Sequence, residues 1–538
     1  MKKFKCTICL LLSVIMCVAM LSGCNGGKAS PSPSPSAAAP TTSAPPQATP
    51  TVTDKPVEKD AEYYDNFTLI LNAAVQTLDW TNPASSNSQA GYVIHHVYDK
   101  LVNLTSDGKF EPDLATSWET TDAKTVTLKL RNDVTFHNGE KFTADDVAFT
   151  IDAGKAAKGT RLYDRWAKVE SYEVVNDYEI KLTYVAPNFD YLYDLSSATN
   201  CILNREAYAA DPINGGNIGT GPWIVTKMLP NDYIDFKRNE NYWGEVPKTK
   251  TFTMRFVSEI TARNIMVEND EVEMTNLNSA YVPQYEKHDT IDIWSYTMNN
   301  TNLFSFNMLN PITGDLNFRL AVAHAIDPQE TVDFALNGYA VPNDSAATWG
   351  LYTEYKNPNL PRYPFDIAKA KEYLAKSNYK GETVVLSNTG AHAASNCEIL
   401  QQQLAAIGIK CEVDTTDSPT LNAKAKWGNT DIQIIATSLL MSAASDCRNY
   451  YYPEYTSNKA NYKNDKVSEL IDLGNITKDP AEREKIYWEI QEIVAEELPY
   501  VSLYNMTNYY IGQKGVGGID WYADNNHDFS QAYRVKLK

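Results

Sequence analysis

The chain has 538 residues, 43% of them hydrophobic and 11% aromatic, so it is long enough for two or three domains around a large core. It carries 67 acidic residues against 48 basic ones, and its formal net charge of −19 argues against nucleic acid as a partner. This negative charge favours solubility and does not define a ligand, since it can be spread over solvated faces.

Residues 1–23 have the pattern of a secretion signal. Three lysines precede an apolar run from Ile8 to Leu21, which is too short for a well-flanked transmembrane helix. The run closes on Leu21-Ser22-Gly23-Cys24, which resembles the lipobox of bacterial lipoproteins, where the signal is cut before the cysteine and the thiol receives diacylglycerol. We therefore expect Cys24 to anchor the mature protein to the membrane. The alternative is an ordinary signal peptide that happens to contain a cysteine.

Residues 24–61 are dominated by serine, proline, alanine and threonine and offer nothing to bury. This composition predicts a disordered, semi-extended tether. Such a tether would let a folded body move above the bilayer while keeping it concentrated beside a membrane partner.

The first part of the folded body is predicted to mix strands and helices. A strand is expected at 67–73, followed by a helix that carries Tyr92 and Tyr98 at helical spacing. Alternation at 126–130 and again at 179–184 predicts a small mixed sheet. Between these two stretches, Asn138-Gly139 is typical of a hairpin turn, and 143–146 is expected to cap a helix.

The glycine-rich stretch Gly219-Thr220-Gly221-Pro222-Trp223 could suggest a phosphate-binding loop. However, no Gly-Lys-Ser/Thr follows, and the chain continues as a predicted strand and not as a helix. A nucleotide site is therefore not predicted here.

The stretch 303–342 is the most specific part of the sequence. It predicts a strand that ends near Met308, a helix capped by Asp315 with Leu316, Leu320 and Ala323 on its buried face, and a second helix. The second helix begins with a capping box at Asp327-Pro328-Gln329-Glu330 and ends at Asn337-Gly338. Beyond it, predicted helices and strands alternate between 367 and 409, which argues for an α/β lobe, and helices are predicted at 467–473 and 481–496.

Several motifs in this order strongly resemble the extracytoplasmic solute-binding proteins of ATP-binding-cassette importers, in the group that binds oligopeptides and dipeptides. The resemblance spans about residues 66 to 510. The motifs are TLDW (77–80), YDKLV (98–102), PDLATSWE (112–119), FHNGEKFTADDV (136–147), RNENYWG (238–244) and FRLAVAHAID (318–327) with GYAVP (338–342). In two places the chain departs from the family pattern, with Trp80 where proline is common and Lys100 where the family's YEGL has glycine.

The resemblance implies an α/β, two-lobed periplasmic-binding-protein fold with an extra subdomain in the first lobe. Lobe I would comprise 62–302 with an inserted subdomain at about 106–210, lobe II would comprise 303–504, and 505–538 would return to lobe I. Asn299–Asn307 and Val501–Asn508 would then cross between the lobes and act as the hinge.

The resemblance also implies the function, which is to capture a small ligand, above all an oligopeptide, and deliver it to an ABC importer permease. An oligosaccharide or a metal chelate is the alternative ligand class. By family position, the candidate ligand-binding residues are Tyr98, Asn307, Trp427 and Asp446. Asp446 is the best counterpart of an Asp-Pro whose carboxylate holds the α-ammonium of a peptide, although Cys447 replaces the proline. Asp446 could instead cap a helix or face solvent, and Arg448 could neutralise it.

The sequence contains no catalytic constellation, since the seven histidines are scattered and neither HExxH nor GxSxG occurs. We therefore expect a monomeric binding protein with no cofactor, no metal site and no enzymatic activity, and an extracytoplasmic hydrolase is the weaker alternative. Four cysteines would remain in the folded body, Cys201, Cys397, Cys411 and Cys447, either as free thiols or with Cys397 and Cys411 bridged.

Overall fold

The computed structural model describes residues 61–521 except 86–89, 106–108, 198–200, 344, 346–348, 351–352, 427, 440–441 and 454, together with 527–528 and 533–535. The predicted signal peptide, Cys24 and the tether up to residue 60 lie outside the described residues.

The described chain mixes strands and helices throughout. Up to residue 297 the strands are β1 (Ala61–Tyr63), β2 (Asn66–Leu71), β3 (Val102–Leu104), β4 (Phe110–Pro112), β5 (Ala115–Glu119), β6 (Thr125–Leu130), β7 (Val169–Asn176), β8 (Glu179–Tyr184), β9 (Trp223–Leu229), β10 (Tyr233–Arg238), β11 (Thr251–Phe256), β12 (Met274–Leu277) and β13 (Ile291–Thr297). The later strands are β14 (Asn300–Phe306), β15 (Ala340–Pro342), β16 (Thr383–Asn388), β17 (Lys410–Thr415), β18 (Ile432–Ser438), β19 (Tyr500–Gln513), β20 (Val516–Gly517), β21 (Asp520–Trp521), β22 (His527–Asp528) and β23 (Tyr533–Val535).

The α-helices up to residue 297 are α1 (Ala90–Val97), α2 (Ala144–Ala156), α3 (Arg161–Trp166), α4 (Tyr191–Ser196), α5 (Arg205–Ala210), α6 (Pro212–Gly215), α7 (Ile260–Glu268) and α8 (Val282–Tyr285). The later ones are α9 (Leu316–Ala325), α10 (Pro328–Leu336), α11 (Ile367–Lys376), α12 (Ala391–Ala405), α13 (Ser418–Lys426), α14 (Ala443–Tyr451), α15 (Asp465–Ile476) and α16 (Pro480–Glu497). Within the described ranges, none of these helices combines the length and apolarity needed to cross a bilayer.

Strand β19 links two parts of a large mixed sheet. Its first half pairs antiparallel with β14, with Phe304 opposite Val501, and β14 continues through β18 and β16 to β17. Its second half pairs antiparallel with β12 and β13, with Thr275 opposite Ile511, and β12 continues through β2, β11 and β10 to β9. One continuous strand of 14 residues therefore belongs to both halves of the sheet.

The buried apolar side chains form separate cores on the two halves, which gives the molecule two lobes. Two clusters form the core of the first lobe, and their residues lie between 67 and 296 and between 509 and 516. Two other clusters form the core of the second lobe, and their residues lie between 303 and 504. Between the cores the chain crosses twice, at 297–302 and at 505–508. These crossings overlap the segments 299–307 and 501–508, which the resemblance implied as the hinge. The predicted boundary of the lobes at 302/303 and the hinge motion itself stay predictions.

The first lobe carries a four-stranded sheet in the order β5-β6-β8-β7. The sequence predicted a small mixed sheet here, but all three pairings are antiparallel. The strands β7 and β8 are adjacent in sequence and joined by a tight turn, which permits only the antiparallel arrangement. Thr143 caps α2 with a capping box to Asp146, as the sequence predicted.

The stretch 303–342 follows the predicted order of elements. Asp315 caps α9 through a hydrogen bond from the Asn317 N–H, and Asp327 caps α10 through hydrogen bonds from two N–H groups. Two details differ from prediction. Leu316 is 40% exposed and does not belong to the buried face, and the Glu330 carboxylate accepts a hydrogen bond from Gln403 instead of completing a capping box.

Gly219 and Gly221 allow a close approach of two backbones. A Cβ added at Gly219 would lie 2.0 Å from the carbonyl oxygen of Val97, and the Gly221 N–H donates to the same oxygen at 2.9 Å. These glycines therefore fix the loop before β9 against the end of α1, and Trp223 begins a strand as predicted.

The four cysteines of the folded body are free thiols. Cys201, Cys397 and Cys447 are buried, and the Cys397 sulfur accepts a hydrogen bond from Asn388 Nδ2 at 3.1 Å. Of the two states left open by the sequence, the structure has the unbridged one.

Candidate functional site

A cleft of about 1270 Å³ lies between the two lobes. Its lining comes from both lobes and from the crossing segments, where Met298, Asn299 and Asn508 contribute. A ligand held here would contact both lobes at once, so its binding would favour the arrangement in which they face each other.

Aromatic, amide and hydroxyl side chains make up much of the lining. The tyrosines are Tyr92, Tyr184, Tyr193, Tyr455, Tyr509 and Tyr510, and the amides are Asn72, Asn188, Asn276, Asn299, Asn449, Asn475 and Asn508. Some of these groups are held in place, since the hydroxyls of Tyr92 and Tyr510 share a hydrogen bond at 2.8 Å and Asn299 Nδ2 donates to the Leu439 carbonyl at 3.0 Å. The cleft thus offers flat apolar faces beside donors and acceptors.

Positive charge predominates among the charged side chains that line the described cleft. The cationic ones are Lys100, Arg161, Arg165, Lys168 and Arg448, and the acidic ones are Asp164 and Asp190. Lys168 Nζ donates to Asp194 Oδ1 at 2.6 Å and Arg165 Nη1 lies 3.4 Å from the same atom. Desolvation and the nearby charge of Arg165 lower the pKa of Arg161. The chain as a whole has a net charge of −19, whereas the side chains that line the cleft carry more positive than negative charge. This lining suits an anionic ligand.

Beside the cleft, a buried ion pair joins the lobes. Asp190, the residue before α4, accepts hydrogen bonds from Arg483 of α16 and from the hydroxyl of Ser442, the N-cap of α14. Asp190 is 4% exposed and Arg483 is 8% exposed. Next to this pair, the Phe189 N–H donates to the Asn475 carbonyl at 3.0 Å. Three hydrogen bonds therefore connect residues 189–190 of lobe I to lobe II.

Glu354 is a second carboxyl near the same arginine. Its Oε1 is 3.9 Å from Arg483 Nη2, and burial, followed by the charge of Asp190, raises the pKa of Glu354 to about 8. Although burial opposes a charge on Arg483, the neighbouring charges, Asp190 foremost, raise the pKa of its guanidinium above the ordinary value. The guanidinium also lies 5.7 Å from the ring centroid of Tyr355 and 5.8 Å from that of Tyr487.

The residues predicted by family position do not form one site around this cleft. Tyr98 is 3% exposed inside lobe I, where its hydroxyl donates to the Gly216 carbonyl at 2.7 Å and accepts from Trp80 Nε1 at 3.0 Å. Asn307 is 1% exposed, and its amide donates to the carbonyls of Gly428 and Thr430. Neither side chain lines the cleft.

Asp446 is fully buried within α14 and accepts a hydrogen bond from the Thr353 hydroxyl at 3.0 Å. Arg448 forms an ion pair with Asp472 at 2.9 Å. Asp446 does not line the cleft either, and Trp427 lies outside the described residues. Direct contact of these four residues with a ligand stays a prediction.

Comparison with known proteins identifies the class of the molecule. Residues 109–462 match the family model described as bacterial extracellular solute-binding proteins, family 5 middle. The chain belongs to this family.

Relatives of this family 5 protein include two binding proteins with different ligands in their names. The glutathione-binding protein GsiB of Escherichia coli O6:K15:H31 is 24% identical over 459 residues, covering 81% of this chain and 88% of the relative. The nickel-binding periplasmic protein of Escherichia coli K12 is 27% identical over 361 residues, covering 62% and 68%.

Solved structures share the two-lobed fold. The ABC transporter substrate-binding protein CtaP of Listeria monocytogenes has a TM-score of 0.78 at 22% identity, over 88% of this chain and 100% of that one. NikA of Brucella suis in complex with Fe(III)-EDTA has a TM-score of 0.78 at 24% identity, over 87% and 99%. DppA of Helicobacter pylori in complex with the peptide STSA has a TM-score of 0.72 at 22% identity, over 88% and 99%.

The family 5 assignment fixes the role of the cleft in general terms. The chain is an extracytoplasmic substrate-binding protein of an ABC transporter and not an enzyme. In the described part of the chain, no group of three histidine, cysteine, aspartate or glutamate side chains is placed to hold a metal ion.

Sequence reasoning missed the cationic lining. The signal that could have revealed it is the pattern Arg161, Arg165 and Lys168, in which two arginines four residues apart share a helix face and a lysine follows within one turn. Lys100, which stands where the related motif has glycine, was a second signal.

Proposed function

We propose that this family 5 protein captures a short oligopeptide between its lobes and delivers it to an ABC importer permease. The observation that carries the proposal is the lining of the interlobe cleft, which combines asparagine amides, serine hydroxyls and tyrosine rings with cationic side chains. A peptide backbone needs alternating donors and acceptors, and its terminal carboxylate needs a cation.

The size of the cleft supports a peptide over a single amino acid. Its volume of about 1270 Å³ exceeds the roughly 300–1,000 Å³ of pockets that hold drug-sized ligands. For the peptide ammonium we assign Asp164, because it is an exposed carboxylate of the lining, whereas Asp190 is taken up by Arg483 and Ser442.

A metal chelate rich in carboxylates is the second candidate ligand. The predominance of cationic side chains in the cleft favours it, since a chelate such as a polycarboxylate carries several negative charges. A neutral oligosaccharide, the other alternative, makes no use of these charges.

Thermal unfolding of soluble protein from residue 61 onwards tests the ligand class. A ligand at 100 times its Kd adds about 2.7 kcal/mol to the free energy of unfolding. We expect pooled tripeptides to raise the melting temperature, and N-acetylated tripeptides to lose most of the effect, because acetylation removes the ammonium. Stabilisation by chelates alone would replace the peptide with the second candidate, and stabilisation by sugars alone would overturn both.

Anchoring completes the proposed role. We infer that Cys24 carries the lipid after removal of 1–23, that the segment to residue 61 is the tether, and that the monomer presents its closed form to the permease. Labelling cells with an alkyne fatty acid tests the anchor. Cys24→Ala should abolish the label and release the protein from membranes, whereas the matched change Cys17→Ala within the signal should keep both. A labelled Cys24→Ala protein would refute the anchor.

A further inference from the structure

Lys100 is a lysine that is nearly buried at the wall of the cleft. It is 8% exposed, and it is one of the residues that line the cleft. Its backbone is fixed, because its N–H donates to Asp113 Oδ2 at 3.2 Å and its carbonyl accepts from the Leu114 N–H at 3.0 Å. The side chain therefore starts from a rigid position two residues after the buried Tyr98.

Among the residues that the structure describes, none forms a hydrogen bond or an ion pair with the Lys100 ammonium. The two carboxyls that interact with its charge, Asp99 and Asp113, accept hydrogen bonds from other groups. Asp99 accepts hydrogen bonds from the Tyr242 hydroxyl and from Trp243 Nε1, each at 2.8 Å. Asp113 accepts from the backbone of Lys100, and its Oδ1 has no hydrogen-bond partner.

The buried Asp113 favours its neutral form more than an exposed aspartate does. Burial, followed by the charge of Asp99, raises the pKa of Asp113 to about 8, although the Lys100 and Arg131 cations oppose this rise. Burial likewise raises the pKa of Asp99. Within the described residues, the Lys100 ammonium thus interacts with Asp99 and Asp113 only through their charges and donates no hydrogen bond to either. A buried ammonium without an acceptor costs free energy, which an acceptor on a ligand would offset.

We propose that Lys100 is a specificity-determining contact that binds a carboxylate group of the ligand. Lys100 is 8% exposed and lines the cleft, so a ligand bound there can accept a charge-assisted hydrogen bond from its ammonium. Because the related YEGL motif has glycine at this position, the contact distinguishes this chain from the pattern it resembles. The inference rests on the proposed role of the cleft, and the carboxylate can belong to a peptide terminus or to a chelate.

Binding of defined carboxylate probes by isothermal titration calorimetry tests the inference. The probes are tri-alanine, its C-terminal amide, glutathione and Fe(III)-EDTA, titrated into the wild type and into Lys100→Gly, Lys100→Met and Lys100→Arg. Lys129→Met, which removes one exposed lysine charge from β6 outside the cleft, is the matched control.

We expect Lys100→Met and Lys100→Gly to raise the Kd of the carboxylate probe about 10- to 100-fold and to abolish the preference for the free acid over the amide. Lys100→Arg should keep that preference, and Lys129→Met should bind as the wild type does. Loss of a preference between two probes is not produced by a general loss of folding. The related motif has glycine at this position, so Lys100→Gly is expected to fold. If Lys100→Met misfolds, Lys100→Gly still tests the loss of the charge.

The outcomes separate this inference from the proposed function. If tri-alanine binds and Lys100→Met keeps the wild-type preference for the acid, the Lys100 contact is refuted while the peptide role stands. If Fe(III)-EDTA alone binds and needs Lys100, the contact stands and the peptide role falls. If no carboxylate probe binds the wild type, both are overturned.

Discussion

The ion pair between Asp190 and Arg483 should make a large contribution to stability, and Asp190→Asn tests this with little change in side-chain volume. Removing one partner of a buried pair costs about 3–5 kcal/mol, because the other charge is left without compensation. Both partners are buried here, and the Arg483 guanidinium lies near the rings of Tyr355 and Tyr487. The estimate for Asp190→Asn therefore starts from the full 3–5 kcal/mol, roughly, that a buried pair loses with one partner.

Glu354 reduces that cost. Its Oε1 lies 3.9 Å from Arg483 Nη2, and the charge of Asp190 is one of the causes that raise its pKa to about 8. When position 190 loses its charge, the pKa of Glu354 falls, so the carboxylate ionises near neutral pH and partly neutralises the arginine. We therefore expect Asp190→Asn to lower the free energy of unfolding by about 3 kcal/mol, the lower end of the range.

Urea denaturation at pH 7.5 measures this change, and small-angle X-ray scattering measures its effect on the lobes. Since the pair connects lobe I to lobe II, we expect the radius of gyration of Asp190→Asn to exceed that of the wild type. The matched control is Asp133→Asn, which breaks the more exposed Arg131–Asp133 pair at 2.6 Å and should cost at most about 1 kcal/mol.

The reasoning would be refuted by an Asp190→Asn protein whose unfolding free energy lies within about 0.5 kcal/mol of the wild type. A double-mutant cycle with Arg483→Met gives the pairwise energy directly. A coupling energy no larger than that of the Arg131–Asp133 pair would show that the buried pair is not a strong link between the lobes.

Three further predictions concern lobe I and the residues proposed by family position. The pKa of Asp113 is raised to about 8 in the folded protein against about 4 when unfolded, so the stability of the wild type should fall as pH rises through this range. In Asp113→Asn, the melting temperature should change less between pH 5, 6.5 and 8 than it does in the wild type. The same change of melting temperature with pH in both proteins would contradict this. Asn307→Ala should lower the free energy of unfolding by about 1–3 kcal/mol by leaving two carbonyls without a donor, and unchanged stability with lost peptide affinity would instead show the predicted ligand contact. Gly219→Ala should lower the melting temperature because its Cβ would meet the Val97 carbonyl at 2.0 Å, and wild-type melting would show that the loop can move.

Local signals accounted for most of the correct element predictions. The caps at Asp315 and Asp327 and the left-handed residues Asn337 and Gly338 act within a few residues of each other, so their patterns are legible in the sequence. The prediction that Leu316 lies on the buried face of α9 was wrong, because segments distant in sequence determine which side chains of a helix are covered. The direction of pairing around β7 and β8 was likewise left imprecise, although the short turn between them determines it.

The candidate site was much less predictable. Family position pointed to Asp446 and Tyr98, but burial and internal hydrogen bonds occupy both side chains. The cations of the cleft come from segments as far apart as Lys100 and Arg448, and only the tertiary fold brings them together. A net charge of −19 concealed this local excess, since a total carries no information on position.

The strand β19 has a consequence for how the protein is made. Its residues are synthesised after almost all of both lobes, yet β12 and β13 pair with one half of it and β14 with the other. While the ribosome is still short of residue 500, both nascent sheets lack a central neighbour. The strand pairs that complete them join residues about 200 or more positions apart in the chain. Both lobes should therefore reach their final form together, after synthesis, and a ribosome-stalled chain ending before Tyr500 should remain sensitive to protease in both.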